Sequence, residues 1–300
     1  MTKVVEVKDL TKRFGNTVAL DEVSFNLEPN TIYGLLGRNG AGKTTLMSII
    51  TAQAFASSGK VQVFGEEPYE NAGVLRRMCF MRDNQVYPDS SKPVHAFRIA
   101  RLCFPNWNQA LAERLVADFR LPVATPIKKL SRGQLSAVGA IIGLAARAEV
   151  TFFDEPYLGF DAAAREIFYD RLLEDYAEHP RTIVLSSHLI DEIANILERV
   201  IVLDNGRVIL NDATDDLRDR AVVIRGDNTK VAAFTAGRAV IHRQALGALS
   251  AVTVLGHLTH QDRAALTAND LDVSPVTLQQ LVVRATQAAA GTAADQGAAR

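Results

Sequence analysis

Cysteine is nearly missing from this chain of 300 residues, which has only Cys79 and Cys103. Two thiols build no disulfide framework, and no Cys or His group shows zinc spacing, so the sequence fits a reducing compartment with both thiols inert. Neither charge is in excess, with 33 Lys and Arg against 34 Asp and Glu for a net charge of -1. Such a balance raises no global field, so direct nucleic-acid binding is not expected and partners must be met at local sites. Long apolar runs are absent as well: the best stretch, Val138 to Ala146, falls short of the roughly 18 to 20 residues that a spanning helix needs. Met1 to Leu10 mixes charged and apolar residues and has no apolar h-region. A cytoplasmic chain is expected, and any membrane span belongs to another polypeptide.

What is present suffices for one large core and a smaller unit, since 48% of the residues are hydrophobic. Strand-like runs dominate the beginning: Lys3 to Val7, then Val23, Phe25 and Leu27 in alternation, the almost wholly apolar Thr31 to Leu36, and Lys60 to Phe64. From about Val94 to Arg147 the spacing is helical, with Leu111, Leu115, Val116 and Phe119 on one face and prolines at 105, 122 and 126 as breaks. Parallel-type strands return at Val150 to Phe153 and Thr182 to Ser186, separated by the helical Ala162 to Tyr176, which is βαβ logic. A hairpin follows, Val200 to Leu203 and Arg207 to Leu210, turned by Asp204-Asn205-Gly206.

The fold class expected is therefore α/β, with a main domain over 1-213 that carries a helical subdomain at about 87-147. A small α/β appendage spans 214-285, with strands at Ala221 to Ile224, Ala239 to His242 and Val252 to Leu255, and helices near Gln261 to Thr267 and Val276 to Ala285. The tail 286-300 holds no large apolar residue and reads as disordered.

The most informative segment is Gly37-Arg38-Asn39-Gly40-Ala41-Gly42-Lys43-Thr44, followed by Thr45. It satisfies GxxxxGK[ST], and the buried strand before it and the helical run after it are the context that makes a P-loop. Glycines let the backbone curl round phosphate oxygens, so that successive N-H groups and a helix N-terminus face negative charge. Lys43 is expected to reach the β- and γ-phosphates of ATP, and the Thr44 hydroxyl to ligate Mg²⁺. Far downstream, Val150 to Phe153 ends in Asp154 and Glu155, suited to holding Mg²⁺ and to polarising an attacking water. Leu130-Ser131-Arg132-Gly133-Gln134 opens a helix, and Ser186-Ser187-His188 closes a strand.

This order of motifs, over about residues 1 to 213, resembles the ABC ATPase family: P-loop, LSGGQ-like signature, Walker B with a following Glu, D-loop and switch histidine. The resemblance implies a RecA-like core with an antiparallel β subdomain and a helical signature subdomain. It further implies a head-to-tail dimer in which each ATP lies between one P-loop and the signature of a second ATPase subunit. Ser131, as helix cap, and Gly133 and Gln134 would then offer donors to the γ-phosphate. By position, Phe14 would stack on adenine, Asp161 would be the D-loop aspartate, and His188 would contact the γ-phosphate. Taken alone, Phe14 also reads as a core or edge aromatic and Asp161 as a helix cap. A separate transmembrane permease subunit is the implied partner, with this chain peripheral on the inner face of the cell membrane.

Three departures stand out. Arg132 replaces a glycine usual in the family, and either assists phosphate binding or points to solvent. Asp83 and Gln85 both compete for the Q-loop role of sensing Mg²⁺ and water. Tyr157 stands where threonine is common. With Phe104-Pro105-Asn106-Trp107 and the run Tyr169 to Tyr176, these variants resemble drug- or antibiotic-responsive ABC-2-type exporter ATPases, often encoded beside GntR-type repressors. The rival reading is a soluble ABC ATPase acting on ribosomes or DNA, though such proteins usually carry two cassettes or a long coiled-coil insertion.

Overall fold

The computed structural model describes residues 3-83, 85-88, 90-219, 221-256 and 258-283. The chain divides into two compact units, Met1–His188 with Arg199–Asn211, and Leu189–Glu198 with Asp212–Arg300.

The first unit opens with a hairpin, β1 (Val5–Phe14) and β2 (Thr17–Leu27). Along β2, Val23, Phe25 and Leu27 are buried while Ser24 and Asn26 are exposed, the pattern of a strand with one wet face. β3 (Ile32–Leu36) is buried at every residue, as its apolar run requires, and delivers the chain through a glycine-rich loop to α1 (Lys43–Ile50). β4 (Ser58–Val63) returns to β1 and completes an antiparallel sheet in the order β2-β1-β4. A short α2 (Ala72–Leu75) leads to β5 (Met78–Met81).

The helical insert consists of α3 (Pro93–Cys103), α4 (Gln109–Asp118) and α5 (Arg132–Ala145). Local chemistry starts each helix: Pro93 occupies the first turn of α3, and the Asn108 side chain accepts from Leu111 N to cap α4. Thereafter come β6 (Val150–Asp154), α6 (Ala162–Glu178) and β7 (Thr182–Ser187), then α7 (Ile190–Ile193), β8 (Arg199–Asp204) and β9 (Arg207–Ala213). A six-stranded sheet runs β5-β6-β7-β3-β8-β9, with β3 parallel to both β7 and β8, and β6 parallel to both β5 and β7. β9 folds back on β8 through Asn205 and Gly206 at φ 45° and 77°, the positive pair that a two-residue hairpin turn demands.

The six-stranded sheet is covered on both faces. Tyr33 and Phe152 face a core shared with Leu20 and Phe25 of the antiparallel sheet and Met47 of α1. Phe153, one residue on, points the other way. Its ring meets Phe168 of α6 edge-on at 5.4 Å and lies so close to α5 that a Cβ on Gly143 would sit 2.3 Å from it. Each fully buried phenylalanine contributes roughly 1.5 to 3 kcal/mol of transfer free energy. Register places Leu36 opposite Ser187 and Asp154 opposite Ser186, so three parallel strands end along one edge of the sheet.

The second unit holds α8 (Thr214–Asp219), β10 (Ala221–Asp227), α9 (Asn228–Thr235), β11 (Ala239–Leu246), β12 (Leu249–Leu255), α10 (His260–Ala268) and β13 (Asp272–Pro275). Its sheet is antiparallel throughout, in the order β11-β12-β10-β13. This is the split βαβ, ferredoxin-like arrangement. Ile224, Val252 and Val254 on one face of the sheet close on Val231 of α9 and Leu266 of α10. α8, α9 and β13 had no expectation in the sequence. α9 has its apolar residues in one contiguous run, Val231 to Phe234, and is started by Asp227, whose side chain accepts from Thr229 N and Lys230 N, while β13 is a short edge strand ending in proline. Residues 278-283 are helical within the expected Val276 to Ala285, and the expected tail 286-300 lies outside the described residues.

Candidate active site

The shared sheet edge gathers the P-loop and the two residues that follow β6 and β7. Gly37 has φ 153°, and a Cβ there would lie 2.3 Å from the Leu203 carbonyl oxygen, so the loop can leave β3 only through glycine. α1 begins without any side-chain cap, which leaves its first backbone donors open toward the loop. The Lys43 ammonium is buried and donates to the carbonyls of Gly37 at 2.7 Å and Arg38 at 3.3 Å. Burial pushes its pKa down, and the nearby Glu155 and Asp154 carboxylates act against that shift. A buried cation on two carbonyls, beneath a ring of backbone donors, is suited to a polyphosphate anion.

A pair of oxygen donors stands beside it. Thr44 Oγ1 donates to Asp154 Oδ2 at 2.6 Å, and Ser186 Oγ donates to Asp154 Oδ1 at 2.7 Å. A hydroxyl and a carboxylate side by side are hard oxygen ligands of the kind Mg²⁺ takes together with phosphate oxygens. Among the described residues no group of three or more His, Cys, Asp or Glu is gathered for a metal. Asp83 and Gln85 line a small cavity with Asp154 and Glu155, and the Asp83 carboxylate leans 3.4 Å from the Arg132 guanidinium.

Glu155 has φ 50°, a left-handed conformation that costs a non-glycine residue about 1 to 3 kcal/mol and must be held by its surroundings. Its amide donates to Ser186 Oγ at 3.0 Å. Its Oε1 lies 3.7 Å from Lys43 Nζ, while Oε2 accepts from the Tyr157 hydroxyl and lies 2.7 Å from His188 Nδ1. Since a carboxylate only accepts, the imidazole proton in that contact sits on Nδ1.

The remaining expected residues make contacts of their own within the same unit. Ser131 caps α5, accepting from Gln134 N at 3.2 Å while Gln134 Oε1 accepts from Ser131 N at 3.0 Å. A Cβ on Gly133 would sit 2.5 Å from the carbonyl oxygen of Gly159, and the Ser136 hydroxyl donates to the Leu158 carbonyl. The first turn of α5 is thereby docked onto the turn before Asp161, which caps α6 through Ala164 N at 2.8 Å. Among the described residues, none of these hydrogen bonds reaches the loop 37-45. Arg132 is largely exposed, so its side chain leans to Asp83 and solvent. Phe14 is 55% exposed at the end of β1, which rules out a core role. The β1-β2 hairpin abuts the P-loop, because a Cβ on Gly42 would meet the Ala19 carbonyl oxygen at 2.6 Å. Sequence reasoning assigned no role to Ser186 and Ser187, and none to Tyr157 beyond noting its unusual type. The available signal was a pair of serines directly after the apolar run Ile183 to Leu185.

A parallel sheet with a phosphate-type loop, a Thr-Asp pair and a strand-end glutamate defines a P-loop nucleotide hydrolase. Comparison with known proteins narrows the class. The family described as ABC transporter matches residues 20-158. The ABC transporter ATP-binding protein YtrB of Bacillus subtilis is 27% identical over 222 residues, 74% of this chain and 76% of that protein. The bacitracin transport ATP-binding protein BcrA of Bacillus licheniformis is 26% identical over 93% of this chain and 94% of its own length. A solved structure of the ATP-binding subunit of an ABC transporter superposes with a TM-score of 0.65 at 25% identity, covering 72% of this chain and 92% of that one. Over residues 20-158 the chain is thus similar to the ABC transporter family, and the relatives it resembles are ATP-binding proteins of such transporters.

Proposed function

We propose that two copies of this chain close head to tail on two molecules of MgATP and drive export through a separate membrane-spanning subunit. The observation that carries the reading is the meeting of Lys43, Thr44, Asp154, Glu155 and His188 at one sheet edge, while the capping bonds of Ser131 and Gln134 close on each other at the start of α5. One subunit then supplies the phosphate cradle and the base, and the partner supplies the cap.

In this reading Phe14 is the adenine platform, and Gly37, Asn39, Gly40, Ala41, Gly42 and Thr45 surround the phosphates. Lys43 gives up its loop carbonyls for the β- and γ-phosphates. Thr44 and Asp154 hold Mg²⁺, with Asp83 or Gln85 completing the set. Bound there, Mg²⁺ supplies charge neutralisation at the phosphate oxygens. Glu155 accepts a hydrogen bond from the attacking water, whose oxygen bonds to the γ-phosphorus as the bond to the bridging oxygen breaks, leaving ADP and phosphate. His188 holds Glu155 and faces the γ-phosphate, while Asp161 crosses to the partner. Lids of this sort commonly couple closure to binding and reopening to hydrolysis.

Support for a membrane partner at the inner face comes from the helical insert. Val94, Ile99 and Leu102 of α3 are 47%, 62% and 82% exposed, and Val86 before them is 86% exposed. Apolar side chains gathered in this way mark an interaction surface. Among the described residues no helix is long and apolar enough to cross a membrane, so any span comes from the partner. Export follows the likeness to the bacitracin transport protein, which runs on beyond the first unit. A ribosome- or DNA-directed role finds no such support.

The test is Glu155→Gln. The variant should bind MgATP and elute as a nucleotide-loaded dimer while its turnover falls at least about a hundredfold. Turnover at the normal rate would remove Glu155 from the chemistry, and with it the proposed cycle.

A further inference from the structure

Tyr157 lies two residues beyond Glu155 and is 3% exposed, its ring 6.2 Å from that of His188. Its hydroxyl touches three groups: Glu155 Oε2, Ser187 Oγ at 2.8 Å, and the backbone N-H of His188 at 3.3 Å. Elementary chemistry fixes the direction of each bond. The carboxylate only accepts, so the phenolic proton goes to Glu155. The amide only donates, so it gives to the phenolic oxygen, and the second lone pair takes the Ser187 hydroxyl proton. The hydroxyl is then saturated, with one proton given and two received. Burial, together with the bond to Glu155, pushes the phenol's pKa up, so Tyr157 remains a donor at any working pH.

This hub stands among groups that the transport cycle uses but is itself unassigned. His188 approaches the same Oε2 through Nδ1 at 2.7 Å. With phenol and imidazole both on Oε2, Oε1 is the oxygen left for a water. A smaller residue at 157 would bring no hydroxyl to this point. The Glu155 carboxylate would then lose one of two anchors on Oε2, and the backbone at His188 would lose its tie to it.

We infer that Tyr157 is a positioning residue for ATP hydrolysis: its hydroxyl locks the Glu155 carboxylate to the backbone of His188, so that Oε1 is presented to water in a fixed orientation. The inference rests on Glu155 being the group that polarises the water. Tyr157 acts through Glu155 and His188, and the misplacement of a base by a fraction of an ångström is enough to slow a reaction.

Tyr157→Phe keeps the ring and removes only the hydroxyl. Its kcat should fall by about tenfold to a hundredfold, as expected for a lost hydrogen bond to a charged group. KM for MgATP and affinity for a non-hydrolysable ATP analogue, measured without turnover, should stay at wild-type values. In the Glu155→Gln background the same change should slow the residual rate by less than it slows the wild type, since the residue it positions is gone. Wild-type kcat in Tyr157→Phe, alongside a Glu155→Gln variant that has lost turnover, overturns the inference and leaves the function intact. Normal turnover in Glu155→Gln overturns both. Analogue affinity falling in step with kcat also overturns it, because that marks a disturbed fold. If Tyr157→Phe does not fold, Ser187→Ala removes one donor to the phenol. A severalfold drop in kcat at constant KM then supports the inference, and no drop overturns it.

Discussion

In the first unit β3, β6 and β7 are buried at every residue, whereas in the second β10 ends in alternating half-buried and exposed residues and turns its apolar side to two helices. The contrast extends to charge. Among the described residues, Lys43, Asp154, Asp175 and Arg181 are buried ionisable residues of the first unit, and the buried polar residues of the second are Thr and Ser. A buried charge costs several kcal/mol unless it is matched, so each one demands a partner or a purpose. Asp175 has its partners, Arg147 at 2.5 Å and Arg181 at 2.7 Å, and forms a structural knot. Lys43 is held by carbonyls and a more distant carboxylate, a weaker match that a phosphate would improve. Sheets closed on both sides by helices or a second sheet can hold reactive groups at their ends. A sheet with helices over one face is scaffold first.

That contrast can be broken most directly at Lys43. Lys43→Ala should lower ATP turnover at least about a hundredfold in a steady-state assay, while its thermal transition shows the fold retained. A variant that hydrolyses ATP normally would erase the distinction between the two sets of buried groups. The next largest effect belongs to the other unit. Leu266→Ala empties part of the core under α10 and should destabilise that unit by about 2 to 4 kcal/mol in urea unfolding, with kcat per folded molecule unchanged. Loss of turnover in step with that destabilisation would merge the two units functionally.

The smallest effect concerns Asp262, which caps α10 through Thr259 and pairs with Arg238. Those donors hold its carboxyl at about 2, below the ordinary 3.8. Because the folded value is depressed, its contribution is complete above the ordinary value and disappears as pH falls through about 2. Asp262→Asn should therefore lower the melting temperature slightly at pH 6, with the difference from wild type shrinking steadily toward pH 2. A difference that persists in acid would assign the effect to packing.

Sequence made the first unit more readable than the second, for a physical reason. A strand buried on both faces announces itself as an apolar run, and a phosphate loop needs glycine at fixed spacing, as Gly37 shows by its crowding against Leu203. The Asn205-Gly206 turn was equally plain. α9 and β13 were not legible because the contiguous apolar run Val231 to Phe234 shows no helical period, and β13 is a short edge strand with one neighbour. Within the site, individual residue types pointed to Lys43, Asp154 and Glu155. The hub at Tyr157 and the reach of Arg132 toward Asp83 depend on side chains meeting across 30 and 49 positions of sequence, and no local pattern encodes such meetings.

One close approach carries a mechanical consequence. With no room for even a methyl group between Gly133 and the Gly159 carbonyl, the start of α5 cannot slide past the turn that precedes α6. The two form a rigid joint without backlash, so a push on the helical insert arrives at Asp161 undamped.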